Sequence, residues 1–129
     1  MLPGISSPLK NVEEKHIDWS FIRENSEGEY SGIGGRSHKG YSNDTAMDVT
    51  LFTKQGVERI QRFAFEIARS RPGKLLTLVT KSNAQRHGMV MWDEIFKEIS
   101  EDYRDVNTDK MLVDAMTIRM VLDLSLIHI

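Results

Sequence analysis

The segment Leu75-Leu76-Thr77-Leu78-Val79-Thr80 restricts the fold more than any other. It is a continuous, mostly apolar run without the in-out alternation of a strand that has one wet face. Such a run suits a strand covered on both faces. Helix signals stand on either side of it. From about Thr53 to Arg69, with Val57 as origin, apolar residues recur at Ile60, Ala64, Ile67 and Ala68, a period near 3.6. Glu58 with Arg62 and Arg62 with Glu66 are i,i+4 pairs on the outer side. Thr53 is a candidate N-cap, and Pro72-Gly73 ends the element. After the apolar run, Ser82-Asn83-Ala84-Gln85 has capping-box spacing. A helix from there towards Ser100 puts Met89, Trp92, Ile95, Phe96 and Ile99 on one stripe.

The rest of the chain extends this alternation. Ile17 to Arg23 reads as a short strand, Glu101 to Asp109 as a polar turn, and Met111-Leu112-Val113 as another strand. Ala115, Ile118 and Leu122 mark a last helix. Strands alternating with helices imply an α/β fold, a mostly parallel sheet with helical crossovers. One stretch breaks the scheme. Five of the nine glycines (Gly28, Gly32, Gly34, Gly35 and Gly40) crowd the segment that runs into Tyr30–Val49. That segment is longer than a compact connection needs, so it reads as a β excursion: a flexible loop or a functional arm. Within it, Asn43-Asp44-Thr45 reads as a turn.

At 129 residues the chain is the size of one ordinary domain. Its formal charge of −2 gives no electrostatic reason to expect nucleic acid. No apolar run reaches the roughly 20 residues a membrane helix needs, so no membrane partner is expected. There is no cysteine, which removes disulfides, thiolate metal sites and cysteine nucleophiles, and fits a cytoplasmic setting.

Several candidate sites fail on spacing. Gly32-Ile33-Gly34-Gly35-Arg36-Ser37 lacks the glycine and the following helix of a phosphate loop. His16, His38, His87 and His128 show no paired ligand spacing. Strand ends carry more. Lys81 follows the apolar run and Asp114 follows the last strand, each where a helix is expected to begin. Ligands of open α/β sheets lie outside the carboxyl ends of the strands. A helix N-terminus disfavours an ammonium, so Lys81, whose ordinary pKa is about 10.4, could work as a base near neutral pH. Asp114 offers a hard oxygen for Mg²⁺ or Mn²⁺. Arg23 can grip a carboxylate, and Tyr30 can deliver a proton to an enolate. Taken singly, these residues are better read as an exposed lysine, an Asp N-cap, a surface ion pair and a packed aromatic.

Their order and spacing add something further. Arg23-Glu24-Asn25-Ser26-Glu27-Gly28-Glu29-Tyr30-Ser31-Gly32, then Val79-Thr80-Lys81-Ser82-Asn83-Ala84-Gln85, then Val113-Asp114-Ala115-Met116 together resemble the decarboxylating dehydrogenases of 2-hydroxy acids. This is the isocitrate/isopropylmalate dehydrogenase family. Leu2-Pro3-Gly4-Ile5, Ser31 to Arg36 and Arg86 to Glu94 resemble its tartrate dehydrogenase/decarboxylase and D-malate dehydrogenase branch. The resemblance runs from Leu2 to about Leu122. It implies the central part of an isopropylmalate-dehydrogenase-like fold, with the Gly-rich excursion, about residues 30–49, as the arm by which two subunits clasp.

It also implies roles. Arg23 corresponds to a substrate-carboxylate-binding arginine, and Tyr30 to the tyrosine that protonates the enolate. Lys81 corresponds to the lysine that assists proton removal from the C2 hydroxyl. Asn83 corresponds to an asparagine near the nicotinamide of NAD, and Asp114 to one of three aspartates around Mg²⁺ or Mn²⁺. The family shares each site across a homodimer, Lys81, Asn83 and Asp114 serving the partner's Arg23–Tyr30 site. The expected substrate is a small 2-hydroxy dicarboxylic acid such as D-malate or tartrate. Isopropylmalate or isocitrate as substrate, or a non-catalytic dimerisation module, are the alternatives.

Family members carry roughly a hundred residues ahead of this point and further metal aspartates beyond it. The expectation is therefore a partial domain over residues 1–123, inactive alone. Leu124-Ser125-Leu126-Ile127-His128-Ile129 departs from the pattern and reads as a tail foreign to the family.

Overall fold

A computed structural model describes residues 18–122 of the chain. Strands β1 (Gly28–Ser37) and β2 (Thr45–Leu51) come first. Helix α1 (Lys54–Ser70), strand β3 (Leu75–Thr80), helix α2 (Gly88–Ser100), strand β4 (Asn107–Leu112) and helix α3 (Val113–Leu122) follow. The expected 124–129 tail lies outside the described residues.

The Gly-rich excursion is an antiparallel β1–β2 hairpin, so the β reading of it holds. Its ladder slips between Gly28 and Ile33, and Gly32 lies at the slip with φ +69°, a left-handed conformation open to glycine. Asn43 lies in the turn that closes the hairpin. Arg36 grips Asp44 from one side of that turn to the other, with N–O distances of 2.8 and 2.6 Å.

The core is built around α1. Thr53 caps it as the sequence indicates: its backbone is extended, and its hydroxyl accepts from the Gly56 amide at 3.0 Å. Val57, Ala64, Phe65 and Ala68 face Leu76 and Leu78 of β3 and Ile95, Phe96 and Ile99 of α2. Phe65 is fully buried, stacked on Tyr103 with ring centroids 4.8 Å apart and lying 5.0 Å from Phe96. β3 runs parallel to β4 in the register Leu75↔Asn107 to Thr80↔Leu112, as the βαβ alternation requires.

Three local expectations fail, each for a physical reason. The strand over residues 17–23 is absent among the described residues: 18–25 run without a ladder partner. That segment is instead fastened by Arg71, which donates to the Ser20 hydroxyl at 2.9 Å and the Asp18 carbonyl at 2.8 Å. Helix α2 begins at Gly88, beyond the Ser82–Gln85 box. The Lys81 carbonyl accepts from both Ala84 and Gln85, which closes a tight turn there. β4 begins at Asn107, inside the expected polar turn, because pairing with β3 outweighs its polar composition. In α3 the stripe Ala115, Ile118 and Leu122 faces outward, with Ile118 62% and Leu122 80% exposed. Met116 is the residue of that helix that is buried.

Candidate functional site

The loop that precedes β1 brings Arg23 and Tyr30 together. Its fold begins with Glu24, whose carboxylate accepts from the Ser26 amide at 2.6 Å and from Arg59 of α1 at 3.1 Å. The Ser26 hydroxyl bonds the same carboxylate. These donors hold the Glu24 carboxyl below its ordinary range, Ser26 first and Arg59 next, against a burial effect that raises it. The Tyr30 amide donates to the Glu27 carbonyl at 3.3 Å, turning the chain back on itself. The result is that the Arg23 guanidinium donates to the Tyr30 hydroxyl and lies 4.9 Å from the ring centroid. Because Tyr30 accepts this bond, its own O–H proton stays available for donation. Tyr30 is about half exposed, so the proton can reach an outside acceptor.

A second pair forms at the parallel strand ends. β3 delivers Lys81 and α3 delivers Asp114 on its first turn. The strands end side by side, Thr80 opposite Leu112, so the two side chains emerge at one edge and the Lys81 ammonium bonds the Asp114 carboxylate. The Lys81 hydrogen bond, then its charge, holds Asp114 below the usual carboxylate range. Lys81 precedes a turn and not a helix, which removes the helix-dipole argument for it as a base. Its site is built by the strand edge. Asn83 is exposed on that turn, on the Lys81 side of the molecule's sequence order.

All five sequence-derived residues are therefore at the surface or near it, in two pairs plus Asn83. Among the described residues no hydrogen bond or ion pair joins the Arg23–Tyr30 pair to the Lys81–Asp114 pair. A cavity of about 450 Å³ is lined by Arg23, but not by Tyr30, Lys81 or Asp114. Its walls are core residues such as Leu76, Leu78, Trp92 and Met116, so this cavity is not where the chemistry collects. Among the described residues no three His, Asp or Glu side chains cluster in a metal-binding arrangement. Asp114, ionised and exposed, suits a cation as one ligand of a set completed elsewhere.

Sequence reasoning missed the residues that hold the first pair. Glu24, Glu27 and Arg59 fasten the loop, and a signal was present: three carboxylates, Glu24, Glu27 and Glu29, stand between Arg23 and Tyr30. A glycine near the start of α1, where alanine is the better helix former, was a second signal.

Comparison with known proteins gives this geometry a context. Residues 2–127 match the family model described as isocitrate/isopropylmalate dehydrogenase. A probable tartrate dehydrogenase/decarboxylase of Agrobacterium vitis is 62% identical over 122 residues, covering 95% of this chain and 34% of the relative. D-malate dehydrogenase [decarboxylating] of Escherichia coli is 41% identical over the same shares of both chains. Among solved structures, isocitrate dehydrogenase from Methylococcus capsulatus superposes with a TM-score of 0.73 at 33% identity, over 79% of this chain and 30% of that one. The chain thus spans about a third of the length of the relatives it matches. With its sequence matched almost end to end and its fold shared with a solved member, this chain belongs to the isocitrate/isopropylmalate dehydrogenase family.

Proposed function

We propose that this chain is part of an oxidoreductase that oxidises and then decarboxylates a small 2-hydroxy dicarboxylic acid, D-malate or tartrate. The pairing of Lys81 with Asp114 at the carboxyl edge of two parallel strands carries the reading. The 62% identity to a tartrate relative, against 42% to a 3-isopropylmalate dehydrogenase, favours a tartrate-type substrate, and D-malate is kept as its close chemical analogue.

In this reading Arg23 binds the substrate carboxylate with the guanidinium face it does not use on Tyr30. Lys81 assists removal of the C2 hydroxyl proton. Asp114, which Lys81 bonds here, would be the residue of this set to hold the metal. Tyr30 returns a proton to the enolate left when CO₂ departs, which is the proton its bond from Arg23 leaves free. Asn83 stands beside the nicotinamide. Bound NAD supplies the hydride acceptor, and bound Mg²⁺ or Mn²⁺ supplies the Lewis acid. The β1–β2 hairpin serves as the clasp of a homodimer, with Lys81, Asn83 and Asp114 of one subunit completing the partner's Arg23–Tyr30 site. Among the described residues no hydrogen bond joins the two pairs within one chain, which fits that sharing. A cytoplasmic location suits the absence of cysteine.

The described residues offer one carboxylate towards a metal, so the 129-residue chain by itself is inactive. The test is NADH formation from NAD⁺ with Mn²⁺ and each of D-malate, tartrate, isopropylmalate and isocitrate. The isolated chain gives none, and the chain completed to the relatives' length prefers D-malate or tartrate. Turnover by the isolated chain overturns the inactivity, and preference for another acid overturns the substrate. In the completed enzyme Lys81→Ala abolishes turnover with the circular dichroism spectrum unchanged. Near-normal turnover by that variant removes Lys81 from the mechanism.

A further inference from the structure

We infer that Glu27 is the positioning residue of the Arg23–Tyr30 pair, holding the loop between them against the first turn of α1. Three observations converge on its carboxylate. Glu27 Oε2 accepts from the Thr53 amide at 2.9 Å, and Glu27 Oε1 takes the Thr53 hydroxyl proton. That hydroxyl in turn accepts from the Gly56 amide, so the carboxylate and the helix cap form one relay. Gly56 is buried, and a Cβ added to it would overlap the Glu27 carboxylate; the glycine leaves the space the carboxylate fills. Finally, α1 has no acidic residue in its own first turn. The positive end of its dipole is met instead by a carboxylate from another segment, which favours the anion there.

The consequence reaches Tyr30 through the backbone. The Glu27 carbonyl accepts the Tyr30 amide, and Gly28 follows with φ +70°, so where Glu27 is pinned sets where β1 begins and where Tyr30 projects. Glu24 ties the Arg23 end of the loop to Arg59 one turn along the same helix. Both members of the pair are thereby referenced to α1, although neither touches it through its functional group. The inference rests on the reading above for what the pair does, and on the contacts alone for how it is held.

The test uses the 129-residue chain with isotope-labelled tyrosine and arginine. It reads the Tyr30 ring shift and the Tyr30–Arg23 cross-peaks by NMR. Glu27→Ala loses those cross-peaks and shifts the Tyr30 ring. Glu27→Gln keeps an acceptor oxygen for Thr53 and retains most of the signal. Gly56→Ala loses it as Glu27→Ala does, although alanine is the better helix former. Ile99→Val, which loosens the core away from the loop, moves neither reading. Unchanged Tyr30 signals in Glu27→Ala, or equal loss in Ile99→Val, overturn the inference. If Glu27→Ala does not fold, Glu27→Gln and Gly56→Ala decide: retention in the first with loss in the second supports it, and any other outcome overturns it. D-malate added to the unaltered chain separates the two readings. Unmoved Arg23 signals then count against the substrate-binding role, and the positioning result stands apart.

Discussion

Arg23 and Tyr30, the latter in β1, flank a loop fastened at Glu24 and Glu27 to helix α1, whereas Lys81 and Asp114 stand at the ends of a strand and a helix and bond each other. Helix α1 contributes six buried residues. Helix α3, which carries Asp114, has one, Met116, and turns Ile118, Val121 and Leu122 outward. One reactive pair thus inherits the rigidity of the core, and the other depends on an element with few contacts. Local stability follows buried apolar contact, so the two pairs should differ in order as they differ in support. The difference teaches that side chains of one proposed site need not be equally preorganised within one chain.

The largest effect expected from this contrast comes from emptying the core at Phe65. Phe65→Ala removes a fully buried ring that touches both Phe96 and Tyr103, and should cost about 3–5 kcal/mol. Ile118→Ala on α3 removes an exposed side chain and should stay within about 0.5 kcal/mol. Urea unfolding of both variants checks the pair. Equal costs would mean that α3 is packed as firmly as α1, and the contrast would fail.

Between these extremes lies the cap that joins the core to the first pair. Thr53→Ala deletes both the acceptor for the Gly56 amide and the hydroxyl that Glu27 holds. Loss of an N-cap costs about 0.5–2 kcal/mol. The same variant should raise amide exchange over residues 24–30 and leave exchange at Lys81 and Asp114 unchanged. Equal acceleration at both places would show that the two pairs share one unit of stability.

Much of this contrast was legible in the sequence, and what was not has a physical explanation. The α1 period, the Thr53 cap and the unalternating Leu75–Thr80 run are local signals that tertiary packing reinforced. The start of α2 was misplaced because Ser82 and Gln85 were used in a turn, where the Lys81 carbonyl accepts two amides in place of a helix ladder. β4 was read late because Asn107, Thr108 and Asp109 look like a turn until β3 supplies a partner. The Ala115, Ile118 and Leu122 stripe located α3, but periodicity finds an apolar face without saying what covers it, and here Ile118 and Leu122 are exposed. For the site, the motif residues could be named from their order, and the placement of Lys81 and Asp114 at strand ends could be read, whereas their bond to each other was not among the expectations. The carboxylates and the helix glycine were visible in the sequence, but their pairing was not, since it joins residues 26 positions apart through a glycine whose role appears only in three dimensions.

The smallest expected effect is electrostatic and compares one carboxylate from each region. Asp105 accepts from Arg69 of α1 and from Lys74, and these two cations, Arg69 foremost, lower its pKa to about 2. Asp114 has the single cation Lys81, which lowers its pKa without so large a displacement. Both shifts are downward from the unfolded value, near 3.9 for aspartate. Each ion pair therefore contributes its full stability above that value and loses it as the pH falls through the folded value. The groups are exposed, so solvent screening keeps both contributions small. On acidification the Lys81–Asp114 pair should open first, and the Asp105 cluster should persist until the pH nears 2. Carboxyl-detected NMR titration reads the order directly. If Asp105 protonates before Asp114, the α1 side holds no electrostatic advantage, and the contrast between the two regions reduces to apolar packing alone.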